Sequence, residues 1–161
     1  MRILFMRHGE RSRQGTDDPL TPLGREMATA AGAWLRSEGL LPTAAVTTGT
    51  IRTRTTAQLA CAAAGVAPPT RARSGLPVEA KGWANLLMEL GVLAPDDRDL
   101  VLLVGHDKTQ KMFEGKVFLP SDMAAVPSHN RAGIYLVEQD DKGAWKVTRK
   151  YDGTPTAPSN D

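Results

Sequence analysis

Two histidines stand where an apolar run breaks at glycine. His8 lies in Arg7-His8-Gly9, directly after Ile3-Leu4-Phe5-Met6, and His106 lies in Gly105-His106-Asp107, directly after Leu100 to Val104. Arginines crowd the first of these stretches at Arg7, Arg11, Arg13 and Arg25, and return at Arg52 and Arg54. An imidazole with its ordinary pKa near ~6.5 is largely neutral at pH 7 and can attack an electrophile. Guanidinium groups balance and orient a tetrahedral anion through paired hydrogen bonds. Phosphoryl transfer is the chemistry this set suits. A cation beside such an imidazole disfavours its charged form and so favours attack.

The elements that must position these groups follow from the pattern. Ile3 to Met6 is a short continuous apolar run, as in a strand buried on both faces, and it ends in a polar, glycine-containing turn. Glu10 to Pro19 reads as loop. Thr21 is an N-cap with Pro22 at the first helical position; Leu23, Met27, Ala30, Ala31 and Trp34 follow at helical spacing until Gly39. Ala44 to Thr47 predicts a second strand, Ile51 to Ala64 a second helix closed by Gly65, and Thr70 to Arg73 a weak strand. Trp83 to Leu90 predicts a short helix stopped by Gly91, Leu100 to Val104 the strongest strand, and a short helix starts near Lys108. Pro120 to Asn130 is a long loop. Ile134 to Val137 and Trp145 to Thr148 form a hairpin through Asp141-Lys142-Gly143.

Alternating strands and helices imply an α/β fold of three layers, α/β/α, with a mainly parallel central sheet and a C-terminal antiparallel hairpin. Ligands in such sheets sit beyond the carboxyl ends of the strands, where both histidine motifs fall. A single domain over residues 1–152 with a flexible tail over 153–161 is expected.

A net charge of +2 in 161 residues gives no argument for nucleic acid or membrane. The lone Cys61 excludes an intrachain disulfide and sits in an apolar run as a small core residue. No stretch is long and apolar enough for a signal-peptide core or a span, so a cytoplasmic protein is expected. The three histidines lie far apart with no paired ligand spacing, so neither a metal nor another cofactor is expected. Trp34, Trp83 and Trp145 read as packing residues, and His129 as a loop histidine without a chemical duty.

Taken in order, Arg7-His8-Gly9, Leu20-Thr21-Pro22-Leu23-Gly24, Thr47 to Ala57, and the strand ending in Gly105-His106 resemble the histidine phosphatase (phosphoglycerate mutase-like) superfamily. The resemblance spans roughly residues 2–111. It implies that His8 is the nucleophile, that Arg7 and Gly9 complete the phosphate-binding motif, and that His106 is the second histidine, which contacts phosphoryl oxygens. The family pattern Ser-x-x-x-Arg-Ala-x-Gln-Thr falls on Thr48 to Thr56. Arg52 is then the second phosphate arginine and Thr56 the terminal threonine, while Thr48, Thr53 and Thr55 replace serine, alanine and glutamine.

Three carboxylates compete for general acid. Asp107 follows His106 as in the acid-phosphatase and phytase branch, which Arg11 also matches through Arg-His-Gly-x-Arg, although Arg13 replaces that branch's proline. Glu79 lies where the mutase branch places its glutamate, and Glu10 reads as a loop carboxylate. Asp107 is preferred over Glu79.

Only 54 positions (106 minus 52) separate Arg52 from His106. Mutase and acid-phosphatase members carry a larger capping insertion there, so the chain is similar to the short SixA-type phosphohistidine phosphatases. The expected partner is a phosphorylated protein, met by an open site with Arg11, Arg13 and Lys108 at its rim. A small-molecule phosphomonoesterase acting on sugar phosphates or nucleotides is the rival, and a non-catalytic phosphate-binding domain a further alternative.

Overall fold

A computed structural model describes residues 1–74, 80–106 and 130–153, the side chains of 80–83 excepted. The chain runs β1 (Arg2–Arg7), α1 (Pro22–Ser37), β2 (Ala44–Thr47), α2 (Ile51–Ala64), β3 (Thr70–Ala72), α3 (Ala80–Leu93), β4 (Val101–Gly105), β5 (Ile134–Gln139) and β6 (Trp145–Tyr151). Six strands form one sheet in the order β3-β2-β4-β1-β5-β6. The first four are parallel; β5 runs against β1, and β6 against β5 as the hairpin.

The sheet separates two apolar clusters. On one face Leu4, Met6, Leu102 and Val104 meet Met27, Ala31 and Leu35 of α1 and Ala57, Ala60 and Cys61 of α2. On the other, Ile3, Phe5, Val101 and Leu103 meet Leu86 and Leu90 of α3. Strands apolar on both sides are thereby buried on both sides, the condition that makes their sequence a continuous apolar run.

Local signals explain the helix ends. The Thr21 hydroxyl accepts from Gly24 N–H at 3.0 Å, and Pro22 opens α1. Gly65 closes α2 with φ 81°, a left-handed C-cap. Three expectations are corrected. The buried face of α1 is Gly24, Met27, Ala28, Ala31, Gly32 and Leu35, while Leu23 and Ala30 face solvent. Gly32 lies inward because a Cβ there would meet the Ala60 carbonyl at 2.1 Å, so only glycine lets α1 and α2 approach this closely. Gly91 does not stop α3, which runs on to Leu93; the stop is Pro95, which disfavours helical backbone at Ala94. The hairpin strands are longer than expected, reaching Gln139 and Tyr151, with Asp140 Oδ1 accepting from Lys142 and Ala144 N–H across the turn.

Among the described residues no helix is long and apolar enough to cross a membrane. The expected helix near Lys108, the loop residues up to His129 and the tail beyond Gly153 lie outside the described residues.

Candidate active site

Strand register builds the site. β1 and β4 are adjacent and parallel, with Arg7 opposite Gly105, so His8 and His106 leave neighbouring strand tips side by side. Their ring centroids are 5.3 Å apart at an interplanar angle of 67°.

His8 is wholly buried and held by backbone on both sides. Its N–H donates to the Gly105 carbonyl at 3.0 Å, and its own carbonyl accepts from Ala132 N–H at 3.2 Å. Ala132 takes a left-handed φ of 57° to make this approach, at a turn just before β5. The His8 ring is fixed in turn: Nδ1 lies 2.6 Å from the Gly9 carbonyl oxygen. A carbonyl can only accept, so Nδ1 carries a hydrogen. In the neutral ring Nε2 therefore holds the lone pair.

Gly9 is required by its surroundings. A Cβ there would meet the Gly24 carbonyl at 2.4 Å, and one at Gly24 would meet the Glu10 carbonyl at 2.1 Å, so two glycines let this loop press against the start of α1. Gly9 N–H donates to Thr56 Oγ1 at 3.1 Å, and that hydroxyl donates to the Arg52 carbonyl at 2.7 Å. One threonine thus ties the His8–Gly9 loop to the turn of α2 that carries Arg52. Arg7 is buried at the last position of β1, and Arg52 is half-buried in the first turn of α2. His106 Nε2 lies 2.8 Å from Thr48 Oγ1.

Other sequence-predicted residues stand further out. Arg11 Nη1 ends 3.9 Å from the Asp18 carboxylate, inside a loop closed by the Arg11–Leu20 bridge. Glu10 has both oxygens committed, one accepting from Thr21 Oγ1 at 3.0 Å and the other paired with Arg131 Nη1 at 2.9 Å. Neither is left to meet a leaving group. Asp107 and Glu79 lie outside the described residues.

Two contributors escaped the sequence reading. Arg131 is buried just before β5, the neighbour of β1, and holds Glu10 from there. Asp17 accepts from Ile51 N–H at 2.8 Å, capping α2 from a loop 34 positions earlier. With Thr53 N–H also taken by Thr50 Oγ1, at 3.3 Å, two N–H groups at this helix start are already satisfied. No local signal marked either contact, because both join residues distant in the chain.

Among the described residues no cluster of histidine, cysteine or acidic side chains could hold a metal ion. Burial pushes the Cys61 thiol up to about 11, consistent with a packing role in the α1–α2 layer.

Comparison with known proteins meets this geometry from outside. A family model for the histidine phosphatase superfamily (branch 1) matches residues 3–76, a span that includes Arg7, His8 and Arg52. No protein of curated function matches the chain by sequence. Among solved structures, the protein histidine phosphatase SixA complexed with tungstate superposes with a TM-score of 0.76 at 18% identity, over 94% of this chain and 97% of that one. A candidate phosphohistidine phosphatase SixA from Nakamurella multipartitia gives 0.71 at 24% identity, over 96% of each chain. A mycobacterial glucosyl-3-phosphoglycerate phosphatase complexed with VO3 gives 0.68 at 18% identity, over 91% of this chain and 96% of that one. At these identities the structural likeness is one of fold. The family match runs across the loop after β1 and α2, so over residues 3–76 the chain resembles the histidine phosphatase superfamily, and it shares the fold of these solved phosphatases.

Proposed function

We propose that the chain removes phosphoryl groups from phosphorylated proteins, phosphohistidine foremost, through a covalent intermediate on His8. The observation that supports this most is the Nδ1 contact with the Gly9 carbonyl, which directs the lone pair of the neutral ring to Nε2. Nε2 forms a bond to phosphorus as the bond from phosphorus to the substrate nitrogen or oxygen breaks, and the leaving group departs with a proton. Water then attacks phosphorus, releasing phosphate and returning the imidazole. Arg7, Arg52 and His106 balance the charge on the transferring oxygens in both steps. Arg11 and Arg13 stand at the rim for an acidic partner, and the proton comes from Asp107 or Glu79. We take the protein to act in the cytoplasm.

Phosphohistidine as substrate fits an open site. Its imidazole is a fairly good leaving group, so a less closely positioned acid matters less. The second reading, a small-molecule phosphomonoesterase, draws on the likeness to the glucosyl-3-phosphoglycerate phosphatase, which aligns over nearly its whole length. Chain length therefore does not separate the two readings. A substrate panel does. Wild type and His8→Ala are assayed on a phosphohistidine protein, sugar phosphates, nucleotides and p-nitrophenyl phosphate. The proposal expects the highest kcat/KM on the phosphohistidine protein and none with His8→Ala; a preference for a sugar phosphate or nucleotide selects the rival.

A further inference from the structure

Three threonine hydroxyls form a hydrogen-bonded chain behind His106. Thr48 Oγ1 lies 2.8 Å from His106 Nε2 and donates to Thr53 Oγ1 at 3.2 Å. Thr53 Oγ1 in turn donates to the Thr50 carbonyl at 3.1 Å, and lies 2.9 Å from Thr50 Oγ1, which itself accepts from Thr53 N–H. A hydroxyl has one hydrogen and two lone pairs. The Thr50 carbonyl also accepts from Arg54 N–H at 3.1 Å, and with Thr53 donating to that carbonyl, Thr53 Oγ1 is left to accept from Thr48. That uses the only hydrogen of Thr48, whose remaining capacity toward His106 is to accept. His106 Nε2 must then carry a hydrogen.

We infer that Thr48 and Thr53 are positioning residues that exclude the His106 tautomer with a bare Nε2, keeping an N–H at that atom whether the ring is neutral or charged. These are two of the positions at which the chain departs from the family pattern, with threonine where that pattern carries serine and alanine. Thr53 is fully buried, so its hydroxyl turns to these protein partners and not to water. An Nε2 lone pair would repel phosphoryl oxygens, whereas an Nε2 hydrogen can be shared between Thr48 and an incoming anion. The catalytic consequence rests on the reading of His106 as a phosphate contact; the tautomer does not.

The test is nitrogen NMR of the imidazoles in the full chain labelled with ¹⁵N-histidine, at a pH where His106 is neutral, comparing wild type, Thr53→Ser and the isosteric Thr53→Val. Wild type and Thr53→Ser are expected to show the hydrogen on Nε2. In Thr53→Val the Thr48 hydrogen is released to donate to the ring, and the Nδ1–H form appears. His8 keeps its Nδ1–H pattern throughout, marking an intact site, and Thr53→Ala serves if the valine does not fold. In turnover, Thr53→Val lowers kcat roughly three- to tenfold, the worth of one hydrogen bond, with KM unchanged and Thr53→Ser restored. A bare Nε2 in wild type, or an unchanged Nε2–H form in Thr53→Val, overturns the inference. A tautomer change with no effect on kcat leaves the relay standing and contradicts the role of His106.

Discussion

The imidazole of His8 is wholly buried, and a buried ring keeps the tautomer its neighbours impose. Here one imposing group is a carbonyl one residue away, so the ring is oriented in part by its own loop. Thr56 holds that loop against α2. Thr56→Val removes the acceptor of Gly9 N–H and the donor to the Arg52 carbonyl, and is expected to lower kcat roughly tenfold in steady-state assays. For the leaving group, Asp107→Asn is expected to slow phosphomonoester hydrolysis by roughly 10²-fold while sparing phosphohistidine cleavage, and Glu79→Gln to do little. The opposite ranking moves the acid to Glu79. Cys61 is expected to resist thiol reagents in the native protein at pH 8 and to react once unfolded, because burial keeps it protonated.

Elements carry these residues into register, and some elements could be read directly from the chain. Thr21-Pro22, Gly65 and the apolar runs before His8 and His106 are local signals, and each marks a boundary or core of its element as local physics requires. Less legible were features decided by partners far away. Arg131 meets Glu10 across 121 positions, and nothing near Arg131 in sequence announces a buried cation. The extent of α3 was misread for a related reason, since a glycine tolerated inside a helix looks the same as one that ends it. The packing of α1 on α2 gives a direct check. Gly32→Ala drives a methyl into the Ala60 carbonyl and is expected to cost about 2 kcal/mol, a Tm loss of roughly 6 °C by calorimetry. Glu10→Gln leaves the Arg131 guanidinium buried beside a neutral amide. Because Glu10 is partly exposed, the loss is expected near the low end for a broken pair, about 2 kcal/mol by chemical unfolding.

Across the whole molecule, the mainly parallel sheet places Arg7, His8 and His106 at the same end of two adjacent strands, with the turn after β2 bringing Thr48 and the start of α2 bringing Arg52, Thr53 and Thr56 to that end. Folding also links to pH on the alkaline side. The Cys61 thiol and the Tyr135 hydroxyl are raised by burial, to about 11 and about 12, so both hold their protons in the folded state where the unfolded chain has lost them. Stability is therefore expected to fall as pH rises above about 9 and on toward 12, read as a falling Tm, and Cys61→Ala is expected to soften the first part of that fall. The measurement that bears most directly on the chemistry is the phosphoenzyme itself. The protein is quenched during turnover of a phosphohistidine protein or p-nitrophenyl phosphate and mapped by mass spectrometry under conditions that preserve phosphoramidates. An acid-labile phosphoryl group on His8, absent in His8→Ala, is predicted; turnover that survives in His8→Ala, or a phosphoryl group found on another residue, contradicts the assignment.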